Sequence, residues 1–167
     1  AAIVRVREML GQAARPLILY GGCGWDAPAS AALADFAEGS DIPVVSVFRY
    51  QDRFDNNSPV FCGEAGVGMA PSVKRLISDA DVILALGNRF GENSTDGYTL
   101  LDVPDPVQRL IHVHASDLEI GKIYRPELGI HADPNAVAHA LAGASAVWGD
   151  RAGWRQEGRA AYEAAFD

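Results

Sequence analysis

The run Pro16-Leu17-Ile18-Leu19-Tyr20 is apolar at every position and stops at Gly21-Gly22. It is too short for a stable helix and shows no polar alternation, so it reads as a strand buried on both faces. Strands of that kind belong to parallel sheets, whose strands are joined by crossovers, usually helices. The rest of the chain supplies them. Residues Ile3, Val4, Val6, Met9 and Leu10 recur at helical spacing, with Gly11 as the stop. Residues 28–38 are alanine-rich, place Leu33, Phe36 and Ala37 on one face, and carry Pro28 where a first-turn proline is harmless.

The alternation repeats. Residues 42–47 predict a strand, 70–78 a helix, 81–86 a strand, 109–113 a strand, and Leu128–His131 a last short strand. Ser116-Asp117-Leu118-Glu119 has the spacing of a capping box and predicts a short helix. Asp133 caps a final helix with Pro134 in its first turn and Val137, Ala138 and Leu141 inside. Strand and helix in this order predict a doubly wound parallel sheet with helices on both faces. Two stretches stand apart. Residues 87–108 form a connection longer than a compact domain usually carries without a function. Residues 150–167 read as a tail helix with few apolar residues (Trp154, Ala161, Phe166), expected to be the least protected and to lead toward a further domain.

The 167 residues suffice for one domain with a full core. A net charge of −8 argues against nucleic-acid or anionic-membrane partners, which require clustered Lys and Arg. Two cysteines, Cys23 and Cys62, exclude a disulfide scaffold and a four-cysteine zinc site. Buried free thiols in a reducing cytoplasm are the simplest expectation. No apolar run approaches the ~20 residues of a membrane span.

Chemistry announces itself weakly. Gly22-Cys23-Gly24-Trp25-Asp26-Ala27 fits G-x-G-x-x-A between a strand and a helix. Its glycines either admit a pyrophosphate to the backbone or simply permit a tight turn. The acid that a dinucleotide site places at the end of the second strand is missing, since that strand ends Ser46-Val47-Phe48-Arg49. A hydride-transferring dehydrogenase is thereby disfavoured. Gly87-Asn88-Arg89-Phe90 follows another strong strand, where Arg89 either grips a phosphate or ties the long loop to surface carboxylates. His112 and His114 share a strand face, but without a nearby third ligand a structural role outweighs metal binding. Neither a Gly-x-Ser-x-Gly elbow nor a Gly-Lys-Ser/Thr phosphate loop is present.

Residues 14–24, Ala-Arg-Pro-Leu-Ile-Leu-Tyr-Gly-Gly-Cys-Gly, resemble the opening of the central domain in thiamine-diphosphate enzymes of the acetolactate synthase, benzoylformate decarboxylase and pyruvate oxidase superfamily. The family's later landmarks follow in order. They are Ile42-Pro43-Val44-Val45, Phe61-Cys62-Gly63, the segment from Ala80 to Phe90, Leu110-Ile111-His112-Val113-His114, then Glu119-Ile120-Gly121-Lys122 and Ala132-Asp133. The resemblance covers residues 14–142. It implies a three-layer, six-stranded, Rossmann-like sheet of the NAD/FAD-binding type. It further implies that residues 1–167 are one non-catalytic central domain of a multi-domain, oligomeric enzyme that decarboxylates or ligates a 2-oxo acid. Thiamine diphosphate and Mg²⁺ would then be held by two other domains, one binding the pyrimidine ring and supplying the activating glutamate, the other binding the diphosphate through a Gly-Asp-Gly segment. That segment does not occur here.

In flavin-containing relatives the ligand lies along the C-terminal edge of this sheet. Carried over, the candidate contacts are Gly22, Gly24, Ser46, Gly63, Gly87, Asn88 and Arg89. Arg89-Phe90 leads into Gly91-Glu92-Asn93 where flavin-binding synthases place Asp-Asp-Arg, and His114-Ala115-Ser116 replaces an Asp-Ile-Asp segment. Both departures argue against FAD and leave an adenine nucleotide as the ligand the turn would hold. A free-standing nucleotide- or flavin-binding module is the alternative, and the missing second-strand acid counts against it. A sirtuin-like deacylase fails on the absent zinc cysteines. A purely structural interface domain overlaps with the leading reading.

Overall fold

The computed structural model describes residues 1–147 and 149–167. Six strands form one sheet: β1 (Pro16–Tyr20), β2 (Val44–Val47), β3 (Phe61–Ala65), β4 (Val82–Leu86), β5 (Arg109–His114) and β6 (Leu128–His131). Their order is β3-β2-β1-β4-β5-β6 and every pairing is parallel. The helices are α1 (Ala2–Gln12), α2 (Ala27–Gly39), α3 (Pro71–Asp79), α4 (Pro134–Ala142) and α5 (Ala152–Ala164). The doubly wound, three-layer α/β arrangement is therefore as expected.

The two-residue side-chain period of a strand divides the core into two. Ile18, Tyr20, Val44, Leu84, Leu86, Ile111 and Val113 pack with Val6, Met9 and Leu10 of α1, Leu33 and Phe36 of α2, and Val137 and Leu141 of α4. Their neighbours Leu17, Leu19, Val45, Ile83, Ala85 and Leu110 face the other way, toward Val73, Leu76 and Ile77 of α3. All five residues of β1 and of β4 are buried, as an uninterrupted apolar strand requires. At the lower end of this central pair the Asp81 carboxylate accepts from the backbone N–H groups of Ala14 (2.8 Å) and Arg15 (3.0 Å), fixing the entry of β1.

Several local expectations need correction. β3 was not legible as a strand, because Gly63 and Glu64 break its apolar run; Gly63 stands in it at φ +118°. Gly11 lies inside α1 rather than ending it. Ser116-Asp117-Leu118-Glu119 forms turns, not a helix; the Ser116 carbonyl accepts from the Glu119 N–H at 3.3 Å. Cys62 is buried but Cys23 is exposed, because Cys23 sits in the turn after β1 rather than in the strand. The tail helix also does not stand free. α5 docks against α3 and β3, with the Trp154 indole N–H donating to the Pro16 carbonyl (2.8 Å) and Tyr162 edge-on to Phe61.

Candidate functional site

The C-terminal ends of β1 and β4 lie side by side, and the chain leaves them in opposite directions. This is the topological switch point, where open α/β sheets receive ligands. β1 continues into Gly21-Gly22 and β4 into Gly87-Asn88-Arg89. The Gly21 N–H donates to the Leu86 carbonyl at 3.1 Å and the Gly87 N–H to the Val113 carbonyl at 2.9 Å. Both turns need left-handed backbone, φ +91° at Gly22 and +75° at Gly87, which glycine alone adopts without strain.

Above this junction lies an open cavity of about 290 Å³, at the small end of ligand sites. Gly22, Gly87, Asn88 and Arg89 form one side; Val47, Phe48 and Tyr50 beyond β2 form another, and the loop from Gly91 to Ser94 closes it. Of the seven residues expected from sequence, Gly22, Gly87, Asn88 and Arg89 are thus brought together. The other three lie elsewhere. Gly24 sits on the far side of the β1–α2 turn, where its carbonyl accepts from the Asn135 side chain. Ser46 is fully buried in β2, its hydroxyl without a hydrogen-bond partner among the described residues. Gly63 lines a separate hollow beside α3 and α5, and a Cβ there would come within 2.8 Å of Val73.

The Asn88 loop is anchored from below. Its side-chain oxygen accepts from the Phe90 N–H (2.8 Å), and its own carbonyl accepts from His112 Nε2 (2.7 Å). The Gly121 N–H points at His112 Nδ1 (3.4 Å), so the proton resides on Nε2 and the ring is neutral. Burial lowers the His112 pKa against the opposing effect of the Asn88 bond, and nearby His114 adds to the lowering. His112 therefore serves as a support for the loop. Phe90, at φ +54°, is wedged edge-on between His112 and Tyr124, which shows how firmly the loop is fixed. Among the described residues no group of three His, Cys, Asp or Glu is placed to hold a metal ion.

Arg89 stands at the rim with 70% of its side chain exposed and its Nε 3.6 Å from Glu119. That carboxylate also faces Lys122. The contact is long and solvated, so Arg89 leaves it at little cost. Opposite, the Tyr50 hydroxyl lies 3.5 Å from the Cys23 thiol, and this bond raises the phenol pKa. Arg49 caps the Phe48 ring with its guanidinium 4.9 Å from the centroid. Phe48 and Tyr50 carried no sequence signal as site residues and reach the cavity through the crossing of β2 beside β1, whereas the Glu92–Ser94 turn belongs to the long connection after β4 that the sequence singled out.

Residues 3–141 match the family described as "Thiamine pyrophosphate enzyme, central domain". The chain is 32% identical over 131 residues to a sulfoacetaldehyde acetyltransferase of Castellaniella defragrans, covering 78% of this chain and 22% of that protein. It is 28% identical over 133 residues to an acetolactate synthase large subunit of Parasynechococcus marenigrum, covering 80% and 21%. It is 28% identical over 135 residues to a glyoxylate carboligase of Escherichia coli O157:H7, covering 80% and 22%. The chain thus spans little more than a fifth of the length of these curated relatives.

Proposed function

The chain belongs to the family of thiamine pyrophosphate enzyme central domains, and from that premise we propose that it is the non-catalytic middle of a larger thiamine-diphosphate enzyme acting on a 2-oxo acid or an aldehyde. The observation that carries this is the family match over residues 3–141, which takes in all six strands of the sheet. The residues of this chain do not suit the cofactor itself. The cavity lining contains one carboxylate, Glu92, and among the described residues no group of three His, Cys, Asp or Glu is placed to hold a metal ion. Thiamine diphosphate and Mg²⁺ belong, on this reading, to the pyrimidine-binding and diphosphate-binding domains of a homo-oligomeric parent in the cytoplasm. The central domain holds those domains at a fixed spacing.

Its own cavity is proposed as a site for an adenine nucleotide, with Gly22, Gly87 and Asn88 lining it and Arg89 turning from Glu119 to a phosphate. The small volume and the exposed, mobile-chained Arg89 support a single nucleotide rather than FAD.

The test is turnover by the full polypeptide that contains this chain, with pyruvate, glyoxylate and sulfoacetaldehyde as substrates. Activity is expected only with thiamine diphosphate and Mg²⁺ present, and none is expected from residues 1–167 alone. Cofactor-independent turnover, or cofactor-dependent turnover by the isolated chain, would overturn the assignment.

A further inference from the structure

We propose that the glycine turn between β1 and α2 is a closed clip, held shut by the first turn of α4, and that it takes no phosphate. In a βα unit of this kind the glycines let a pyrophosphate approach the backbone, and the helix N-terminus supplies free N–H groups. Both provisions are drawn on inside this chain. The missing side chain of Gly22 makes room for Gly87: a Cβ at Gly22 would lie 2.3 Å from the Gly87 carbonyl oxygen, and one at Gly87 the same distance from that of Gly21. The glycines are therefore accounted for by two turns of this chain pressing on each other.

The helix end is occupied as well. The Asp26 carboxylate accepts from the Ala29 N–H at 2.8 Å and places a negative charge at the positive end of α2. An incoming phosphate meets repulsion from that carboxylate. Asn135 then closes the turn from the side. Its Nδ2 donates to the Gly24 carbonyl at 2.7 Å, and its Oδ1 accepts from the Asp26 N–H at 3.3 Å. Asn135 is held in place by its own N–H, which donates to the Asp133 cap of α4 at 2.9 Å. The hollow beyond Trp25 adds Asp52 and Asp55, with Arg53 between them.

A nucleotide that binds this chain consequently does so from the β2–β4 side alone. A dinucleotide finds no seat for its pyrophosphate at this turn. Titration of inorganic pyrophosphate, then ADP, into ¹⁵N-labelled chain tests the clip through the amide signals of Asp26, Ala27 and Ala29. In the unaltered chain these signals stay put. In Asn135→Ala, which keeps the Asp26 cap, and more so in Asp26→Gly/Asn135→Ala, pyrophosphate shifts them with an affinity at least about tenfold higher, the gain of one charge-assisted contact. A shift in the unaltered chain overturns the proposal, and so does silence in both variants, whose folding is checked by thermal melting. ADP-induced shifts at Asn88 and Arg89 read the cavity separately; their absence removes the nucleotide from the proposed function and leaves the clip intact.

Discussion

His112 shows how one side chain can hold a site without entering it. Its Nε2 proton goes to the Asn88 carbonyl and its Nδ1 faces the Gly121 N–H, while its ring packs edge-on to Phe90. Burial depresses its pKa below 6.5, so the folded protein prefers the neutral ring. As pH falls through 6.5 the unfolded chain takes up a proton that the folded one still refuses. This contribution to stability is complete above that pH and declines toward the lowered folded value. His112→Phe should flatten that part of a pH series of urea midpoints, and should cost roughly 1–3 kcal/mol near pH 7 by leaving the Asn88 carbonyl and Gly121 N–H unpaired. An unchanged slope between pH 7 and 5 would contradict this account. Arg89, by contrast, stands at the rim, its guanidinium exposed and its Nε 3.6 Å from Glu119.

Among the elements, α5 is the one whose attachment is least like a core. Only Gly158 of its residues is buried, and the helix is held by the half-buried Trp154 and Tyr162 together with polar contacts. Arg159 donates to the carbonyls of Asn56, Ser58 and Phe61, and Arg155 pairs with Asp41 at 3.1 Å. Under it lies Cys62: a Cβ at Gly158 would sit 3.1 Å from its sulfur, and burial pushes the thiol up to about 12. Thiol alkylation therefore reports on this helix. Cys23, being exposed, should react at once, and Cys62 only when α5 lifts. Arg159→Ala should speed Cys62 modification about tenfold or more, since three hydrogen bonds to carbonyls are lost. Equal Cys62 rates in the two proteins would show that α5 is not secured this way.

The same element marks the limit of what sequence could reveal. The strands at residues 16–20 and 82–86 were legible from uninterrupted apolar runs, and those from 42, 109 and 128 from shorter apolar stretches set in the strand–helix alternation. β3 was not, because Phe61-Cys62-Gly63-Glu64-Ala65 mixes a glycine and an acid into the run. The helix beginning after Asp150 was legible, but its docking was not. Arg159 and Phe61, like Asn135 and Gly24, meet across about a hundred residues of chain, and no periodicity encodes such a meeting. At the candidate site, the glycines and Arg89 could be found from the strand ends. Phe48 and Tyr50 could not, since only the sheet order brings them there.

At the scale of the whole molecule, the strand order has a bearing on how the protein is made. β1 occupies the middle of the sheet, yet its two partners come from distant parts of the chain: Ile18 pairs with Val44, and Pro16 with Val82. During synthesis from the N-terminus, β1 is complete long before β4 exists. At ordinary elongation rates of roughly 5–20 residues per second, the interval lasts on the order of several seconds. Throughout it, a strand apolar on both faces has one edge unpaired, which is the condition under which chains aggregate or recruit chaperones. Ribosome-stalled chains ending before Val82 should be digested readily by protease at residues 16–20, and chains that have exposed β4 outside the tunnel should resist. Protection appearing as soon as β2 emerges would show that one neighbour is enough. The central strand, the most secure part of the finished protein, is thus the part that waits longest for shelter on the ribosome.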